Sequence, residues 1–117
     1  MDYRCGDLEN IVMNAVWSME VPEQEYICVC DVQERINFLE SKNWAYTTVK
    51  TVMDRLVEKA MIIRFKKGKK YFYKSVLSRE EMAEEAMKKL AKQYFHNDMT
   101  ELKKMADAMC EKELSKI

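Results

Sequence analysis

Residues 44–75 read WAYTTVKTVMDRLVEKAMIIRFKKGKKYFYKS. The first half of this stretch has apolar residues at helical spacing, which predicts a helix from residue 45 or 46 to residue 60. The second half is rich in β-prone residues on both sides of Lys67-Gly68, which predicts a hairpin with strands 61–66 and 69–74. A helix with small polar residues on its outer face is therefore followed directly by a lysine-rich hairpin.

The same stretch carries most of the positive charge of the chain. Residues 42–74 contain ten lysines and arginines against two acidic residues, whereas residues 1–41 contain nine acidic and two basic residues. The formal net charge of +0 for all 117 residues therefore hides one basic segment. A phosphate backbone attracts such a segment; the alternative interpretation is a solvated charged surface.

Helical periodicity on both sides of this stretch completes the architecture. Apolar residues predict a first helix over 7–19, with Asp7 as its N-cap, and a second over 31–39, with a short strand possible at 27–29. Three helices followed by a hairpin have the order of a winged helix, in which the third helix enters a DNA groove. We predict a mainly α fold with a small β wing: a winged helix-turn-helix DNA-binding domain over residues 1–76 and a C-terminal helical dimerisation arm over residues 77–117.

The predicted arm has two helices and more apolar surface than it can bury alone. Ser78 to Glu81 is a capping box that predicts a helix to about residue 95, and Asp98 caps a second helix that ends near residue 115. A second copy of the chain is the simplest partner for this surface, so we predict a homodimer. The predicted dimerisation residues are Met82, Met87, Leu90, Tyr94, Met99, Leu102, Met105 and Met109.

The composition argues against several other classes of protein. The sequence has no long apolar run and no basic-then-apolar N-terminus, so we expect no membrane span, no secretory signal and a cytoplasmic location. His96 is the only histidine and has no evident nucleophile beside it, and no glycine-rich phosphate loop is present. We therefore predict neither enzymatic activity nor a cofactor.

Cysteines offer one candidate metal or redox site. Cys28 and Cys30 have the Cys-x-Cys spacing that suits soft metals such as Cu(I) or Zn(II). Two thiolates are an incomplete site, and further ligands would have to come from Cys5 or from Cys110 of a second copy. The alternative is that two small side chains flank the second helix by chance, and we predict no resident metal.

Several short motifs resemble those of the penicillinase-repressor family, the BlaI-, MecI- and CopY-type regulators. The third predicted helix carries AYTTV and RLVEKA, similar to that family's signature, although Ala60 stands where the family usually has glycine. Tyr71, Tyr73 and Ser75 match the family's second wing strand. Leu8-Glu9, Val12 to Asn14 and Trp17 are similar to its first helix, and Ser78 to Glu81 to the entry of its dimerisation helices.

This resemblance implies a dimeric winged-helix transcriptional repressor that binds a palindromic operator in double-stranded DNA. It implies base or phosphate contacts from the third helix and phosphate contacts from the wing. The residues that match these roles are Thr47, Thr48, Lys50, Thr51 and Arg55 on the helix and Lys66, Lys67, Lys69 and Lys70 on the wing. The alternative function is a winged-helix module that binds protein and not DNA, although four lysines around one turn favour DNA.

The resemblance does not identify an inducer or an upstream sensor. Penicillin-responsive members are cleaved between Asn and Phe in the arm, and the matching region near Met105-Ala106 lacks that pair. Copper-responsive members carry paired Cys-x-Cys motifs near the C-terminus, where this sequence has only Cys110. The inducing signal is therefore left open, with Cys28 and Cys30 as candidate sensors.

Overall fold

The structure is a computed structural model in which residues 6–115 are described. Within them, five helices and two strands follow one another along the chain. They are α1 (Asp7–Met19), α2 (Val29–Glu40), α3 (Tyr46–Glu58), β1 (Ile62–Lys67), β2 (Lys70–Ser75), α4 (Arg79–Tyr94) and α5 (Met99–Ser115). The chain divides into two compact units, Met1–Arg79 and Glu80–Ile117.

The first unit is built on a core of three mutually packed helices. Each helix turns one apolar stripe inward, because residues three or four apart lie on the same helix face. Its fully buried residues include Val12, Met13, Val16, Val32, Ile36, Val49, Val52, Met53 and Leu56. Three helices followed by a two-stranded antiparallel hairpin form a winged helix, so the predicted fold class is confirmed.

α1 begins at the predicted residue but with a different cap, and α2 begins earlier than predicted. α1 starts at Asp7 with Gly6 in the N-cap position, so Asp7 is the first helical residue and not the cap. α2 starts at Val29 with Cys28 as its N-cap, two residues earlier than predicted. Cysteine is not among the preferred cap residues, so no cap signal predicted this start.

The hairpin is displaced by one residue from its predicted position. β1 and β2 are antiparallel, Phe65 pairs with Phe72, and Gly68-Lys69 forms the two-residue turn. Gly68 has φ 66° and occupies the first turn position, where a type II′ turn requires glycine. The predicted strand at 27–29 is reduced to a single bridge between Ile27 and Tyr73, because α2 already begins at Val29.

α3 ends in a Schellman motif. The N–H of Ala60 donates to the carbonyl of Val57, and the N–H of Met61 donates to the carbonyl of Leu56, each at 3.0 Å. This geometry requires a left-handed residue, and Ala60 has φ 60°. The chain therefore places alanine where the backbone favours glycine.

Two carboxylates connect α1 to the rest of the first unit. Glu20, just after α1, accepts hydrogen bonds from the backbone N–H of Ser75 at 2.9 Å and from its hydroxyl at 2.8 Å. Glu9 is buried, and its Oε2 lies 2.7 Å from Nζ of Lys59 just beyond α3. The ends of α3 and of the hairpin are therefore both fixed to α1.

The second unit consists of helical segments that leave most of their apolar side chains exposed. α4 begins directly after Ser78 and α5 directly after Asp98, as predicted from their caps. Oδ1 of Asp98 accepts a hydrogen bond from the N–H of Thr100 at 2.9 Å. Among the described residues of this unit, only Ala91 and Leu102 are buried. In the described range 6–115, no helix is long and apolar enough to cross a membrane.

Candidate nucleic-acid interface

The outer face of α3 presents a row of polar side chains. Thr47, Thr48, Thr51 and Arg55 are all exposed, and residues 47, 51 and 55 follow one another at four-residue spacing. The opposite stripe of α3 is buried in the core, so this face is held in a fixed orientation. We call these four residues the recognition face.

One hydroxyl on the recognition face is already engaged. Oγ1 of Thr51 donates a hydrogen bond to the backbone carbonyl of Thr47 at 2.8 Å. A hydroxyl has a single proton to donate, so that of Thr51 can still accept a hydrogen bond but cannot donate a second one in this arrangement. Thr47 and Thr48 are therefore the stronger candidates for donating to base edges.

Lys50 is held by an acidic neighbour. Its Nζ lies 3.0 Å from Oδ2 of Asp54, and this hydrogen bond raises the pKa of Lys50 above its ordinary value. Oδ1 of Asp54 is buried and lies 3.8 Å from Nη1 of Arg64 in β1. Asp54 thus links α3 to the wing, and Lys50 would have to leave this carboxylate before it could bind another anion.

The buried side of this cluster is closed by Tyr73. Burial raises the pKa of the Tyr73 phenol above its ordinary value, and the negative charge of Asp54 adds to the effect. The hydroxyl therefore stays protonated around neutral pH. Tyr73 contributes packing and not charge to the surface between α3 and the wing.

The four wing lysines are exposed, but they have different surroundings. Lys67 donates a hydrogen bond to the hydroxyl of Tyr26, and its Nζ lies 4.5 Å from the centroid of that ring. The hydrogen bond to Tyr26 raises the pKa of Lys67. Lys66 lies 5.8 Å from the ring centroid of Tyr71. Lys69 and Lys70, by contrast, stand at the exposed tip of the turn.

A side-chain clamp fixes the turn that leads into α3. Asn37 in α2 accepts a hydrogen bond from the backbone N–H of Trp44 at 2.7 Å and donates one to its carbonyl at 3.2 Å. Gln33 donates a third hydrogen bond to the same carbonyl at 3.0 Å. No local sequence pattern identifies Asn37 and Gln33, because their contacts join separate elements.

Leu8 is a further residue that the sequence analysis did not include in the site. It is 44% exposed at the start of α1 and lines a hollow of about 270 Å³ beside the recognition face. The other lining residues are Thr47, Thr48, Thr51, Val52 and Arg55. Only the packing of α1 against α3 brings Leu8 to this surface, so no local sequence signal could have identified it.

The two candidate thiol ligands have different surroundings, because Cys28 is half-buried and Cys30 is exposed. Cys28 caps α2 in a capping box with Asp31, whose Oδ2 accepts the backbone N–H of Cys28 at 3.1 Å. Burial raises the pKa of the Cys28 thiol, which disfavours the thiolate that would bind a metal. Cys5 lies outside the described residues. Across residues 6–115, no group of three or more His, Cys, Asp and Glu side chains could hold a metal ion.

The predicted dimerisation residues fall into two groups. Leu102 is buried and Met82 is half-buried. The others are exposed by between 43% and 72%, namely Met87, Leu90, Tyr94, Met99, Met105 and Met109. So much exposed apolar area on two adjacent helices is unusual for a chain without a partner.

Comparison with known proteins gives consistent results. Residues 5–117 match the family model described as penicillinase repressor. Two curated relatives, each described as transcriptional regulator BlaI, come from Mycobacterium tuberculosis strains CDC 1551 / Oshkosh and ATCC 25618 / H37Rv. Each is 34% identical to the chain over 79 residues, which cover 68% of the chain and 53% of the relative. The chain thus spans about half the length of the curated relatives it matches.

Proposed function

The chain belongs to the penicillinase repressor family, and on that premise we propose that it is a transcriptional repressor that binds a palindromic operator in duplex DNA as a homodimer. The observation that carries this proposal is the exposed recognition face of α3 beside a hairpin with four exposed lysines around its turn. The printed description of the relatives, transcriptional regulator, agrees with it.

The recognition face would read bases in the major groove. A helix fits that groove, and hydroxyl groups can hydrogen-bond to several base edges. Thr47 and Thr48 would donate hydrogen bonds to acceptors on the bases. Thr51 would accept a hydrogen bond from a base, because its own proton is donated to the Thr47 carbonyl. Arg55, two turns after Thr47, would contact a phosphate, and Lys50 would do so after leaving Asp54.

The wing would bind the phosphate backbone beside the helix. Lys69 and Lys70 at the tip are the least engaged of the four lysines around the turn, so they would contribute most of the charge that these four offer to phosphates. Lys66 and Lys67 pack on tyrosine rings and would be more fixed in position. Such contacts supply affinity without sequence preference.

Dimerisation would be carried by the arm over residues 77–117. Its exposed methionines, leucine and tyrosine provide an apolar surface that a second copy can cover, and flexible methionine side chains adapt well to such interfaces. Two linked recognition helices would then occupy half-sites about 10 bp apart, or a multiple of that distance. The winged-helix domain over residues 1–76 would supply one half-site contact per chain.

The proposal is tested by measuring duplex affinity and its salt dependence for two sets of variants. Thr47→Ala and Thr48→Ala should reduce the preference for the operator over a scrambled duplex, at about 1–3 kcal/mol for each lost base contact. Lys69→Ala and Lys70→Ala should weaken binding to both duplexes equally and lower the salt slope by about 0.9 per phosphate contact. Lys103→Ala, on the exposed surface of α5, is the matched control and should change neither quantity.

Two results would contradict the proposal. If the wild-type protein were not retained on any duplex at low salt, the alternative of a protein-binding winged helix would take its place. If the lysine variants changed sequence preference and the threonine variants did not, the roles of helix and wing would be reversed.

A further inference from the structure

Two of the six residues that line the hollow beside the recognition face are apolar. They are Val52 of α3, which is 1% exposed, and the half-exposed Leu8 of α1. Among its six lining residues, Arg55 is the only one that carries a charge. An apolar group that enters here would contact Leu8 and Val52, and the polar or charged part of the same ligand would remain at the rim.

The state of Thr51 makes this hollow less polar than its three threonines suggest. Because the Thr51 hydroxyl donates to the Thr47 carbonyl, its proton is not offered to a ligand. Each of the three threonines also has a methyl group. Thr47, Thr48 and Arg55 keep their donors, so the part of the hollow that suits a group without hydrogen-bonding atoms is the part lined by Leu8, Val52 and the engaged Thr51.

The size of the hollow favours the edge of a base over a complete small molecule. Small-molecule sites usually enclose about 300–1,000 Å³, whereas this hollow measures about 270 Å³ and four of its six lining residues lie on an exposed face. In the major groove of DNA, the apolar group on a base edge is the C5-methyl of thymine. No other feature of the groove matches an apolar hollow as well.

Resting on the proposed function, we propose that Leu8 is a specificity-determining residue that, together with Val52 and Thr51, accepts the C5-methyl group of one thymine in each half-site. Specificity would then come from α1 as well as from the recognition helix. Arg55 at the rim would hold a phosphate near that thymine, so that base and backbone are positioned together.

The test uses duplexes in which thymine is replaced by uracil, which lacks the methyl group. An operator is first selected from a random duplex pool with the full chain, and each thymine is then replaced singly. The affinities of wild type, Leu8→Ala and Leu39→Ala are compared by fluorescence anisotropy. Leu39 is 52% exposed on α2 and is the matched control.

At one thymine per half-site, we expect uracil to weaken wild-type binding about fourfold, which corresponds to burial of one methyl-sized group. Replacing the symmetry-related pair should weaken it about 15-fold. Leu39→Ala should retain the full loss, whereas Leu8→Ala should bind the thymine and uracil duplexes within a factor of about two.

The outcomes that overturn this inference can be told apart from the outcome that overturns the proposed function. If the protein selects an operator but no thymine shows methyl dependence, or if Leu8→Ala retains the full loss, the inference fails and the proposed function stands. If no duplex is bound by the wild type, the proposed function fails and this inference fails with it.

Discussion

Asn37 and Trp44 form a reciprocal pair across the turn of the helix-turn-helix. The side-chain amide of Asn37 both accepts from and donates to the backbone of Trp44, two residues before α3 begins. Water could also hydrogen-bond to the N–H and carbonyl of Trp44, but it would not fix the direction of the chain through the turn. This pair therefore sets where the recognition helix starts relative to α2.

We predict that Asn37→Ala lowers both stability and operator affinity. The part-buried N–H of Trp44 would lose its partner, which costs about 1–3 kcal/mol, and the Trp44 carbonyl would keep only the hydrogen bond from Gln33. The start of α3 would also lose part of its positioning. Urea unfolding at fixed protein concentration and operator titration measure the two effects. Asn43→Ala, at an exposed position of the same turn, is the control, and equal behaviour of the two variants would contradict the role of the pair.

The Schellman motif after α3 yields a prediction of the opposite sign. Ala60 is exposed and has φ 60°, so Ala60→Gly relieves backbone strain without removing a packed side chain. We expect the free energy of unfolding to rise by about 0.5–1 kcal/mol, since the relief exceeds the added entropy of unfolded glycine.

The control for Ala60→Gly is the same substitution inside a helix. Ala83 is exposed within α4, and Ala83→Gly should lower the free energy of unfolding by about 1 kcal/mol. The denaturant midpoints of both variants are measured under identical conditions. A decrease in stability for Ala60→Gly would show that the left-handed conformation is not strained.

Exposed apolar positions in the predicted arm allow dimerisation to be tested separately from folding. Leu90 and Met105 are 43% and 55% exposed, so Leu90→Glu with Met105→Glu should leave each chain folded. In a dimer interface the same carboxylates would be buried without partners, at a cost of several kcal/mol, and the dimer should dissociate. Sedimentation velocity at micromolar concentration and circular dichroism measure the two properties.

Two further variants complete this test. Leu102 is 7% exposed, so Leu102→Glu should reduce helicity itself and cannot report on dimerisation alone. Lys104→Glu, at an exposed polar position of α5, should change neither the helicity nor the mass of the sedimenting species. A double variant of Leu90 and Met105 that sediments like the wild-type dimer would exclude this surface as the interface.

The thiols should differ in reactivity. Burial and the nearby Asp31 raise the pKa of Cys28, whereas Cys30 and Cys110 are exposed. Since the thiolate is the reactive form, iodoacetamide near neutral pH should modify Cys28 more slowly than Cys30. Peptide mass spectrometry measures the rates, and concentrated urea should make them equal. Faster modification of Cys28 would restore it as a candidate sensor.

Patterns of local spacing predicted the fold but not the contacts that refine the site. The bounds of α1, the start of α4 and the start of α5 follow from periodicity and caps in the sequence. The Lys50–Asp54 ion pair can also be predicted from the sequence, because its members are four residues apart on one helix. In contrast, Lys67 with Tyr26 and Leu8 with Thr51 are distant in sequence, and only tertiary packing brings them together.

The central claim is that a dimer places two recognition helices in the major groove of one duplex, and hydroxyl-radical footprinting on the selected operator tests it most directly. The account predicts two protected half-sites related by dyad symmetry, with centres about 10 bp or a multiple of that apart. A single protected half-site, or protection without dyad symmetry, would contradict it.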